Sequence, residues 1–123
     1  MYAVGSVRSL QPGVEGRLER VVDDALLTRH VGGEGLFATP SMILLMEQTA
    51  HLSVAPYLAP GETTVGYEVC VRHLAPARAG DRLVVSSRLT EVNGNRLTFE
   101  VQCRRGEVLI GTGTHRRAIV PSL

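Results

Sequence analysis

The chain has 123 residues, 44% hydrophobic and 20% charged, with a formal net charge of +1 at pH 7. That length suits one domain with a core of its own, and no linker splits it, so a single domain over residues 1–123 is expected. Balanced charge and few aromatics exclude the basic, base-stacking surface of a nucleic-acid binder, and no apolar run nears the roughly 20 residues of a membrane span.

The opening MYAVGSVRSL lacks the charged-then-apolar order of a signal peptide, so a cytoplasmic protein is expected. Gln11-Pro12-Gly13 signals a turn, and residues 14–22 alternate well enough for a first strand. Residues 23–35 then read as a polar loop loosened by Gly32, Gly33 and Gly35, either a mobile lid or a plain connector.

Residues 37–58, FATPSMILLMEQTAHLSVAPYL, are the one long helical pattern. Thr39 can cap its start with Pro40 in the first helical position, and Pro56 bounds its end. The unbroken apolar run from Met42 to Met46 predicts a helix covered on more than one face, wrapped by a sheet. Glu47 follows that run directly. A carboxylate among Ile43, Leu44, Met46, Ala50 and Val54 needs a partner or protonates more readily, which makes it a candidate acid, base or nucleophile. Periodicity equally allows Glu47 a solvated edge beside Gln48 and His51, the latter one helical turn away.

Everything after the helix reads as strand. Pro60-Gly61 turns into residues 65–74, where alternation puts Val65, Tyr67, Val69, Val71 and His73 on one face and Gly66, Glu68, Cys70, Arg72 and Leu74 on the other. Residues 82–92 and 96–104 flank Asn93-Gly94-Asn95, a strong hairpin signal. After Arg105-Gly106, residues 108–120 form a last strand. Cys70 and Cys103 fall in apolar strand patterns as small buried hydrophobes, and no metal-ligand spacing exists, so neither metal nor cofactor is expected. The order predicts an α+β domain of the hot-dog type, an antiparallel sheet of about five strands wrapped around one central helix. Such a sheet leaves an open edge, so at least a homodimer is expected, with a tetramer as the next assembly.

Several short motifs at fixed spacing now carry a resemblance: Phe37-Ala38-Thr39, Met42, Leu45-Met46-Glu47, Ala55-Pro56-Tyr57-Leu58, Pro60-Gly61-Glu62, Gly66, His73, and Gly113-Thr114-His115 with Arg117 and Ala118. Over residues 37–120 the chain resembles the fluoroacetyl-CoA thioesterases and related small hot-dog thioesterases. The resemblance implies a homodimeric acyl-CoA thioesterase with Thr39, Glu47 and His73 as catalytic residues, and Phe37, Gly66 and Arg117 near the substrate. One departure bears on selectivity. The loop phenylalanines that the resemblance implies as a lid over the fluorinated acyl group correspond here to His30 and Gly33, so another short or medium acyl group, on CoA or a carrier protein, is expected.

Thioester hydrolysis requires an activated water or nucleophile and a group to stabilise the oxyanion; the leaving thiolate makes little demand for a proton. Glu47 would act as base or nucleophile, His73 would exchange the proton, Thr39 would orient or attack, and backbone N–H groups near Gly66 or the helix start would receive the oxyanion. A continuous helix from residue 39 to 47 separates Thr39 from Glu47 by about 12 Å along its axis, so either Thr39 folds back or a second subunit completes the site. Arg72, Arg78, Arg116 and Arg117 are candidates for the CoA phosphates. The alternatives are a non-catalytic module that binds acyl-CoA or an acyl carrier, and a hot-dog hydratase, against which the loop around His30 supplies no matching acid.

Overall fold

The computed structural model describes residues 10–123. The segment before residue 10, expected to frame the fold or stay loose, lies outside the described residues. Strand β1 (Glu15–Val21) leads through a 3-10 turn into the short β2 (Leu27–Thr28), which pairs with β3 (Leu36–Phe37). Helix α1 (Thr39–Val54) follows, then β4 (Glu62–His73), β5 (Arg82–Asn93), β6 (Arg96–Arg105) and β7 (Val108–Pro121). The five long strands form one antiparallel sheet in the order β1-β5-β6-β7-β4, curled around α1 as the sequence predicts.

The helix presents Met42, Leu45, Met46, Thr49, Ala50 and Val54 inward, an i, i+3, i+4 stripe that is buried throughout. Against it lie the fully buried Leu83, Leu89, Leu97, Phe99 and Ile110 from β5, β6 and β7. Each such side chain contributes about 1.5–3 kcal/mol by leaving water. Thr49 is tolerated there because its hydroxyl donates to the Leu45 carbonyl at 2.7 Å. The second apolar face expected for α1 is not covered by the described residues: Leu44 and Leu52 are 50% and 58% exposed. The sheet curls past one stripe only, and Met42 fits closely because Gly111 faces it, where any Cβ would meet the Met42 sulfur.

Two expectations for β4 need correction. Strict alternation would put Gly66 on the face away from His73, but the register with β7 shifts between Gly66 and Glu68, so Tyr67 is an inserted residue. The bulge turns Gly66 inward, onto the helix side that also receives His73. Cys70, expected buried, is exposed, on the outer face of the sheet opposite the exposed Thr114. Cys103 is buried as predicted, and desolvation pushes its thiol up to about 11. Among the described residues strand β4 pairs only with β7, and Val65, Tyr67 and Val69 on it are exposed.

Candidate functional site

The predicted residues gather in two groups at opposite ends of β4. At the first, the helix begins one residue earlier than the capping pattern suggests. Ala38 is the N-cap residue, with extended backbone and no side-chain cap bond, and Thr39 is already helical. Thr39 is therefore not the cap, and its hydroxyl is free for another partner. It lies 2.8 Å from Nδ1 of His73.

His73 ends β4 and stands edge-on to Phe37, ring centroids 5.8 Å apart. Burial lowers its pKa, with the Ala75 backbone partly opposing, so near neutral pH the ring is uncharged and able to take a proton from the threonine. Its Nε2 is buried and has no hydrogen-bond partner among the described residues. The pair opens on a cleft of about 780 Å³ walled by Thr28, His30, Val31, Leu36, Leu74 and Pro76. Leu36 and Phe37 reach it because β3 pairs with β2, while Arg29 to Gly35 between them is a turn closed by backbone hydrogen bonds from Gly32 and Gly35.

Glu47 belongs to the second group. Its side chain is 36% exposed, beside Gln48 and His51 as the solvated reading had it, yet it also faces the buried Arg117, Nη1 to Oε2 at 4.0 Å. Gly66 closes this corner: a Cβ on it would stand 2.9 Å from the Glu47 carboxylate, 2.9 Å from the His115 ring and 3.1 Å from Arg117 Nη1. Only a glycine lets the strand backbone come so near the acid. Arg117 donates from Nε to the Thr64 hydroxyl and from Nη2 to the Thr64 carbonyl, both at 2.9 Å. Burial lowers its pKa, opposed by Glu47.

The structure thus joins Thr39 to His73 and Phe37, and Glu47 to Gly66 and Arg117. Within one chain it does not join the two groups, which line separate clefts. Sequence reasoning missed Thr64 as a partner of Arg117, and gave His115 no task beyond its place in a motif. The available signal was the alternation of β7, which puts His115 and Arg117 on the same inward face. Of the arginines considered for phosphates, Arg72 and Arg78 are exposed and Arg116 pairs with Glu68 at 3.3 Å, whereas Arg117 is 7% exposed and spends its donors inward. Among the described residues no cluster is placed to hold a metal ion, and no helix is long and apolar enough to cross a membrane.

The model of the fluoroacetyl-CoA-specific thioesterase family FlK matches residues 19–123. A fluoroacetyl-CoA thioesterase of Streptantibioticus cattleyicolor is 41% identical over 85 residues, which span 69% of this chain and 61% of that relative. The solved structure of the fluoroacetyl-CoA thioesterase FlK superposes with a TM-score of 0.85 at 33% identity, covering 92% of this chain and 90% of its own. A mutant of FlK in complex with acetyl-CoA gives a TM-score of 0.83 at 33% identity over 91% of this chain and 90% of its own. A Thermus thermophilus thioesterase superfamily member gives 0.85 at 32% identity over 93% and 86%.

Proposed function

As the chain belongs to the fluoroacetyl-CoA-specific thioesterase family, we propose that it hydrolyses a short or medium acyl-CoA to the free acid and CoA, in a homodimer whose two subunits each supply half of every site. The observation that carries the reading is the Thr39–His73 hydrogen bond at the mouth of the apolar cleft. A helix-capping threonine would turn its hydroxyl to the backbone, whereas that of Thr39 turns to the imidazole.

The dimer is supported by what the described residues leave undone. Among them strand β4 has an open edge with exposed Val65, Tyr67 and Val69, and the helix beside it exposes Leu44 and Leu52. A second copy added antiparallel along β4 would cover both, and an isologous twofold axis midway between Gly66 and His73 brings the Gly66 end of one strand to the His73 end of the other. Thr39 and His73 then face Glu47 of the partner subunit across one cleft.

In that cleft water adds to the thioester carbonyl carbon, its proton passing to Glu47 or through Thr39 to His73. The oxyanion is received by backbone N–H groups at the start of α1 and by the Arg117 charge. Collapse breaks the C–S bond, and the thiolate leaves with little need for a proton. Gly66→Ala meets the movable ends of Glu47 and Arg117 but also the buried His115 ring, so some fall in melting temperature is expected with it. It should displace that carboxylate and lower kcat/KM about 10- to 100-fold, as small misplacements of catalytic groups do; unchanged kinetics with an unchanged melting temperature would take Gly66 out of the site.

His30 and Gly33 stand where the resemblance implies lid phenylalanines, and Val31 and Leu36 give the cleft an apolar wall suited to an alkyl chain. We therefore place selectivity with short and medium unfluorinated chains. Thiol release from fluoroacetyl-, acetyl-, butyryl-, hexanoyl- and octanoyl-CoA tests this. Turnover should be greatest for a chain of four to eight carbons, with fluoroacetyl-CoA showing no special preference. Binding without thiol release from every member would favour a non-catalytic module that binds acyl-CoA or an acyl carrier instead.

A further inference from the structure

We propose that His51 and His115, both in their neutral forms, are positioning residues that hold the Arg117 guanidinium so that its one uncommitted N–H points to the Glu47 corner of the site. The role rests on the thioesterase reading; the geometry does not. His115 is 1% exposed, stacked on Phe99 at 6.3 Å, and its Nδ1 lies 2.8 Å from the Glu68 carbonyl. A carbonyl only accepts, so Nδ1 carries the hydrogen and Nε2 the lone pair. That lone pair is 3.1 Å from Arg117 Nη1, which only donates.

His51 reaches the same guanidinium from α1. Its Nδ1 lies 3.0 Å from the Thr64 hydroxyl and 3.4 Å from Arg117 Nη2. Arg117 Nη2 can only donate, so His51 Nδ1 is the acceptor, and the Thr64 hydroxyl, which accepts from Arg117 Nε, turns its hydrogen to the same lone pair. An arginine has five N–H groups, and these contacts occupy all but one on Nη1, the nitrogen 4.0 Å from Glu47. Neutral acceptors fix the direction of the charge without cancelling it. A lysine could not be held this way, having no planar fork.

A proton on either acceptor nitrogen would set N–H against N–H and release the arginine. The ionisable groups facing the pair are Glu47 and Arg117, with each imidazole facing the other's arginine partner; Glu68 contributes its carbonyl, its carboxylate being turned to Arg116. Burial first, and then the neighbouring Arg117, lowers the pKa of His51; burial likewise leads for His115. Protonation is thus deferred to pH below the usual histidine range, and the arginine stays in place at neutral pH.

The test is a double-mutant cycle with an activity-independent arm. His115→Phe keeps the stack on Phe99 but removes the acceptor, and should lower kcat about 10- to 100-fold with little change in KM. His115→Gln, which can still accept, should recover most of that loss. In an Arg117→Gln background His115→Phe should have almost no further effect; the same factor in both backgrounds would make His115 merely structural and overturn the proposal. Nitrogen NMR should find His115 in the Nδ1–H form, and Arg117→Gln should raise the pH at which both rings titrate. Titration unmoved by that substitution refutes the positioning role. Absence of thiol release from wild-type protein would refute the thioesterase reading, while the NMR arm still decides the imidazole–arginine contact.

Discussion

Glu47→Gln is expected to lower kcat by about 10²- to 10⁴-fold, the usual share of a lost acid–base group, while acyl-CoA binding stays within a few-fold. The amide is nearly isosteric and keeps its place beside Gly66 and Arg117, so the fold has no reason to change. What disappears is the capacity to take a proton from water or to attack the carbonyl. The Arg117 charge, 4.0 Å away, keeps the native carboxylate oriented without binding it tightly. A closer bidentate pair would spend its lone pairs on the arginine. Single-turnover kinetics with the best acyl-CoA of the panel, together with a binding isotherm for the same ligand, give the two numbers. Full activity in the glutamine variant would remove Glu47 from the chemistry.

The second large effect is a recovery. Thr39→Val removes the hydroxyl that bonds His73 and should cost about 10²-fold or more alone, as Glu47→Gln does. Co-expressed with different tags and purified as a random mixture, the two variants should regain about a quarter of wild-type activity, because half of the dimers are mixed and each of these holds one intact site of two. The mixed dimer has Thr39 from one subunit facing Glu47 of the partner subunit. If each chain built its site alone, the mixture would show only the average of its parents. That result would break the shared-site proposal and leave the Thr39–His73 pair to be explained within one chain.

Much of the architecture was legible because two periods are unmistakable: the 3.6-residue stripe of α1 and the alternation of β5, β6 and β7. Where reading failed, a single extra residue or a competing partner was the cause. Tyr67 bulges out of β4 and inverts the face of Gly66, and alternation has no way to signal such an insertion. Thr39 sits one step inside the helix rather than at its cap, because His73, 34 residues later, offers its hydroxyl a tertiary hydrogen bond. Resemblance supplied the names Thr39, Glu47 and His73, but not that one chain holds them in separate clefts. That separation depends on the length of α1 between residues 39 and 47, which the sequence did disclose. Sequence reading makes His115 only part of a motif, although the alternation of β7 already sets it two residues from Arg117 on the same face.

The catalytic candidates stand on α1, β4 and β7, while the outer wall of the cleft is built by β2, β3 and the glycine-bearing turn from Arg29 to Gly35. Gly32 and Gly33 have φ of +90° and +61°, and each has open space where a side chain would project. Changes of size at His30 and Val31 can therefore reshape the cleft without disturbing the Thr39–His73 hydrogen bond. Under the proposed function, acyl-chain length and hydrolysis are then governed by separate segments of the fold.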